Sequence, residues 1–173
     1  MRRWARGSST WGLPLAVLEE RGGERPLLLV HGFTGSKEDF ADELQLLAEL
    51  GFHVVAPDLR GHGDSAAPQE EAEYGLDRFA DDLFGLCDGL GWSHLDLLGH
   101  SMGGMIAQVM ALRRPDRIDR LVLMDTHHGV MEDLDRELIE LGATGPDRGS
   151  RSHPGGAQDG SGPSGEPRLR ACL

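Results

Sequence analysis

One spacing constrains this chain more than any other: Gly99-x-Ser101-x-Gly103, set between two runs of different periodicity. Leu95 to Leu98 is a short apolar run that reads as a buried strand. From Met102 a run of small and apolar residues reads as a helix, and Pro115 stands just past its end. A strand that turns sharply into a helix strains the backbone at the turn and lifts that residue's side chain clear of the sheet. Glycine on either side lets strand and helix approach closely. The Met102 N–H then lies at a helix N-terminus, aimed at any anion that forms beside Ser101. Ser101 thus reads as a nucleophile built into a turn. The plain alternative is an ordinary strand–helix turn with a surface serine.

The rest of the chain repeats that alternation. Leu13 to Glu19 reads as a weak first strand, followed by a turn at Arg21-Gly22-Gly23. Pro26 to Val30 is wholly apolar, as a strand buried on both faces requires. A Gly-rich loop, His31 to Ser36, follows it. Glu38 to Leu50 carries Phe40, Leu44, Leu47 and Ala48 on one helical face. Phe52 to Ala56 is the next strand, Pro57 to Ser65 a long loop, and Ala66 to Tyr74 an acidic exposed stretch. Leu76 to Leu90 is helical through Phe79, Leu83, Leu86 and Leu90. After the turn at Ser101, Arg120 to Met124 is a last clear strand and Met131 to Leu141 one more amphipathic helix. Alternating strands and helices predict an α/β domain, its doubly wound, mainly parallel sheet covered on both faces. The chemically unusual loops fall at the carboxyl ends of strands, where open α/β sheets bind ligands.

Composition bounds the partners. The 173 residues suit one domain, with 17 basic against 29 acidic side chains and a net charge of −12. That balance argues against nucleic acid or an anionic membrane as partner. Lys37 is the sole lysine. Cys87 and Cys172 have no metal-ligand spacing and imply no disulfide framework, which fits a reducing cytoplasm. The arginine-containing N-terminus, Met1 to Trp11, lacks the apolar core of a secretory signal, and no run approaches the roughly 18 apolar residues of a membrane span. From Gly142 onward, 16 of 32 residues are Gly, Pro or Ser and apolar periodicity stops. Residues 142–173 therefore read as a disordered tail, of the Gly/Pro/Arg-rich, Lys-poor kind that a GC-rich gene yields out of frame.

Three motifs in one order, H-G-F-T-G-S at His31 to Ser36, P-D-L-R-G-H-G-D-S at Pro57 to Ser65 and G-H-S-M-G-G at Gly99 to Gly104, together resemble the α/β-hydrolase superfamily. The resemblance covers about residues 13–141. It implies hydrolysis of an ester, lactone, thioester, amide or activated C–C bond in a small molecule, with no cofactor and no metal. Ser at 101 argues against the haloalkane dehalogenase and epoxide hydrolase branches, which use Asp there. By the same resemblance Ser101 matches the nucleophile, and the N–H groups of Phe33 and Met102 match the oxyanion hole. One such donor contributes on the order of 3–4 kcal/mol. His31 matches a residue that braces the loop, and His100 a neighbour of the nucleophile that is not its base.

His62 with Asp64 suggests a metal site, but a loop that bonds to itself is the favoured reading. His127 and His128 are adjacent, and adjacent residues of an extended chain point to opposite sides, so a polar loop pair is favoured over shared metal ligation. In the resembling family the acid follows a seventh strand and the histidine an eighth. Neither strand is visible in this sequence, so the resemblance is to a hydrolase fold lacking its last strands. Asp125, 24 residues after Ser101 at the end of a strand, stands where some branches carry the acid. It serves either as that acid or as a residue that orders the loop. A serine hydrolase is the first functional reading; a truncated or frame-shifted chain without turnover is the alternative.

Overall fold

A computed structural model describes residues 2–5 as backbone and residues 13–127 in full. The helix expected over 131–141, the tail from Gly142, and His128 and His153 lie outside the described residues. Among the described residues six strands form one sheet: β1 (Arg2–Ala5), β2 (Leu15–Arg21), β3 (Arg25–Val30), β4 (Phe52–Pro57), β5 (Leu95–His100) and β6 (Ile118–Met124). Their order across the sheet is β1-β2-β4-β3-β5-β6. β1 and β2 pair antiparallel, as do β2 and β4, while β4, β3, β5 and β6 run parallel. The expected mainly parallel α/β sheet is found. β1 was not expected: Arg-Arg-Trp-Ala has no alternation, and only pairing with β2 makes it a strand.

The helices α1 (Glu43–Glu49), α2 (Leu76–Gly89) and α3 (Met102–Arg113) connect these strands. Successive side chains of β3 point to opposite faces. Leu27 and Leu29 pack with Phe40 and Leu44 on the α1 side. Leu28 and Val30 pack with Leu83, Ile106 and Met110 on the α2–α3 side. Both faces being covered explains the wholly apolar run, each such buried side chain contributing about 1.5–3 kcal/mol. The single helix expected from Glu38 to Leu50 is broken. Lys37 to Phe40 is a 3-10 turn, with Asp39 N–H donating to the Ser36 carbonyl and Ala41 N–H to that of Glu38. The break follows from Lys37, whose N–H and ammonium are both held by Asp58 across the loop.

On β6, Leu121, Val122, Leu123 and Met124 are 38–51% exposed. No described helix is long and apolar enough to cross a membrane.

Candidate active site

The parallel pairing brings three loops to one end of the sheet. Val30 pairs with Gly99 and His100 with Met124, so β3, β5 and β6 end side by side. The chain leaves β5 through Ser101, which has φ 52° and ψ −118°, a conformation rarely adopted outside glycine. Its N–H donates to the Met124 carbonyl at 3.0 Å. Its carbonyl accepts from Gly104 N–H at 2.9 Å, Met105 N–H at 3.2 Å and the Thr126 hydroxyl at 2.7 Å. Four bonds thus hold a backbone that would otherwise relax. Gly99 and Gly103 permit the turn by close approach. A Cβ on Gly99 would lie 2.3 Å from the Gly103 carbonyl oxygen, and one on Gly103 2.2 Å from that of Val30.

The loop after β3 lies directly against this turn. A Cβ on Gly32 would stand 3.2 Å from Ser101 Cβ and 3.3 Å from His100 Nδ1. His31, fully buried, braces the loop. Leu59 N–H donates to its Nε2 at 3.1 Å, so Nδ1 carries the proton and donates to the Gly32 carbonyl at 2.7 Å. Burial pushes the imidazole below its ordinary range, with neighbouring His62 adding to the effect, against the opposing pull of the Gly32 carbonyl. Gly35 N–H donates to the same carbonyl at 3.0 Å. That carbonyl belongs to the peptide whose N–H is Phe33's, so two donors polarise it. The Phe33 side chain is 65% exposed, whereas the Met102 side chain is buried.

The long loop after β4 is built around Asp58. Its fully buried carboxylate accepts from Lys37 N–H at 2.8 Å, Lys37 Nζ at 2.6 Å and Asp64 N–H at 2.8 Å. Burial pushes Asp58 up, but these donors outweigh it and hold the carboxyl below the usual carboxylate range. Asp64 also meets Lys37 Nζ, at 3.0 Å. Arg60 forks onto Asp82 of α2 at 2.5 and 2.7 Å. His62 turns one ring nitrogen to the Arg60 carbonyl and the other to that of Phe33. His62 and Asp64 are therefore engaged with the loop after β3 and with Lys37, as well as with their own loop. Among the described residues no three His, Cys, Asp or Glu side chains gather as metal ligands. Cys87 is fully buried, and burial pushes its thiol up to about 12, which leaves it a poor nucleophile.

Asp125 is the first residue past β6, as Ser101 is past β5. It is exposed and left-handed at φ 45°, a conformation that aspartate tolerates better than most residues. His127 is exposed, and its carbonyl accepts from Gln108 at 2.9 Å. The structure thus gathers Ser101, Phe33, Met102 and Asp125 at one sheet end. Sequence reasoning missed Thr126, Lys37 and Asp58 as organisers. The only signal for Lys37 was its being the sole lysine, beside a motif loop.

The family profile described as alpha/beta hydrolase fold matches residues 25–169. Epoxide hydrolase 2 of Siraitia grosvenorii is 38% identical over 119 residues, covering 69% of this chain and 37% of the relative. The 2-hydroxymuconate semialdehyde hydrolase of Pseudomonas sp. (strain CF600) is 38% identical over 109 residues, covering 62% and 38%. The crystal structure of an epoxide hydrolase from Vigna radiata superposes with a TM-score of 0.67 at 27% identity, covering 75% of this chain and 44% of that one. The chain therefore spans well under half the length of these relatives.

Proposed function

This chain belongs to the α/β-hydrolase fold family, and from that premise we propose that it carries the nucleophile half of a serine hydrolase acting on an ester, lactone or related small-molecule carbonyl. Ser101 Oγ attacks the carbonyl carbon. Its proton passes to a histidine base, and the electron pair of the C=O moves onto oxygen. The N–H groups of Phe33 and Met102 receive that oxyanion, and its collapse expels the leaving group, which takes the proton. Water then releases the acyl group by the same steps. Asp125 is the acid that orients the base. The observation carrying this reading is the strained Ser101 turn with the Gly32 loop packed on its Cβ. A carbonyl substrate agrees with the semialdehyde hydrolase's name. The epoxide hydrolase names favour an oxirane instead, but a serine alcohol at 101 suits acyl transfer. Two cysteines with no disulfide framework agree with a reducing compartment such as the cytoplasm.

The second reading is a catalytically incomplete chain without turnover, in which the exposed, left-handed Asp125 orders the loop after β6 and orients no base. Reaction of the full chain with an alkyl fluorophosphonate, followed by p-nitrophenyl acetate and styrene oxide turnover, decides between them. Labelling of wild type but not of Ser101→Ala, with ester turnover, is the expected result. Equal labelling of both proteins overturns the nucleophile, and diol formation from styrene oxide alone overturns the carbonyl substrate. Labelling without turnover establishes the second reading.

A further inference from the structure

His62 makes a demand that only one of its protonation states satisfies. Its Nδ1 faces the Arg60 carbonyl at 3.0 Å and its Nε2 faces the Phe33 carbonyl at 2.8 Å. A carbonyl oxygen accepts and never donates, and neutral imidazole carries one N–H. Neutral His62 therefore makes one of these bonds and turns a lone pair on the other oxygen. The imidazolium makes both, each strengthened by its charge. His31, with its ring centroid 5.1 Å away, is in the opposite condition. Leu59 N–H points into its Nε2, so His31 is held neutral.

The two rings grip the two peptides flanking Phe33. His31 binds the Gly32 carbonyl, in the peptide that presents the Phe33 N–H. His62 binds the Phe33 carbonyl, in the peptide that follows. The direction of that N–H depends on both. Among the described residues, the other rings and charged groups near His62 are aromatic or already paired. Phe33 and Phe79 offer rings at 6.1 and 6.5 Å. On its own loop, the Arg60 guanidinium is turned to Asp82 and Glu73, and the Asp64 carboxylate meets Lys37.

We propose that doubly protonated His62 is a positioning residue for the Phe33 oxyanion donor, and that losing its second proton loosens the loop and weakens oxyanion stabilisation. The inference rests on the oxyanion role given to Phe33 above. It sets an alkaline limit on acylation of Ser101, separate from any acidic limit set by a general base.

The test uses the full chain in two arms. Imidazole and amide 15N spectra followed from pH 5 to 9 show whether both His62 nitrogens are protonated at the acidic end, and whether the Phe33 and Thr34 amide signals move with the His62 midpoint. Shared movement in wild type, absent in His62→Gln, is expected. Amide signals that stay flat in wild type, or that move identically in His62→Gln, overturn the proposal. The wild-type spectra need no variant to fold. In the second arm, the limiting rate of fluorophosphonate labelling should fall roughly tenfold across that same midpoint, with the probe's binding constant little changed. His62→Gln keeps a neutral donor and should show an intermediate rate without that limb. A limb unchanged in His62→Gln overturns the positioning role. Equal labelling of Ser101→Ala counts against the nucleophile assignment alone, because the spectral arm involves no chemistry at Ser101.

Discussion

The hydroxyl of Thr126 donates to the main-chain carbonyl of Ser101 at 2.7 Å, tying the residue two past β6 to the turn that follows β5. The same side chain fills the space left by Gly104, where a Cβ would lie 2.5 Å from Thr126 Cβ. The Ser101 turn is thus held from outside its own strand and helix.

Thr126→Val keeps the shape and removes the donor. Ser101's carbonyl retains its Gly104 and Met105 partners, so the loss is one hydrogen bond, about 1 kcal/mol. Urea unfolding should show a lower midpoint with an unchanged slope, and labelling of Ser101 should slow. A variant as stable and as reactive as wild type would deny the tie any role.

Backbone strain at Ser101 predicts an unusual ranking of two variants that lack its hydroxyl. A non-glycine residue at φ 52° and ψ −118° costs about 1–3 kcal/mol. Ser101→Ala keeps that cost, whereas Ser101→Gly removes it and gives back roughly 0.5–1 kcal/mol in chain entropy. The glycine variant should be the more stable by about 1 kcal/mol in chemical denaturation. The reverse order would mean that the turn is unstrained.

Lys37→Met strands the Asp58 carboxylate in a fully buried site. Removing one partner of such a pair costs about 3–5 kcal/mol. In wild type the Asp58 pKa lies below its unfolded value, so its stabilisation is complete above about pH 4 and is lost as pH falls through the folded value. In the variant, burial without the ammonium raises that pKa, so acid neutralises the stranded charge and relieves the penalty. The stability gap between the two proteins, measured by denaturant titration, should narrow as pH falls toward about 4 and continue to narrow below it. A gap constant with pH would show that Asp58 is not the group responsible.

Much of the fold was legible because it rests on local pattern. The wholly apolar Pro26 to Val30 run corresponds to β3, whose two faces are both covered by helices. Phe79, Leu83 and Leu86 line the buried face of α2 as their spacing implied. Position 101 could be placed at a strand–helix turn because glycines at 99 and 103 leave room for nothing larger. The one helix misjudged, Glu38 to Leu50, has a sound apolar face. It breaks because Asp58, 21 residues away, holds both the N–H and the ammonium of Lys37.

The amino-acid sequence by itself determined the core strands β3, β4 and β5 and the helices α2 and α3, where the chain turns at Ser101, and which loops carry polar chemistry. Tertiary structure alone decided how those loops brace one another: Thr126 on Ser101 across 25 residues, and His62 on Phe33 across 29. Periodicity and turn chemistry act over a few residues and are written in the order of the chain. Bonds between loops depend on the strand order β4-β3-β5-β6, which sets non-consecutive strand ends side by side. A histidine's partners exist only once that order is in place.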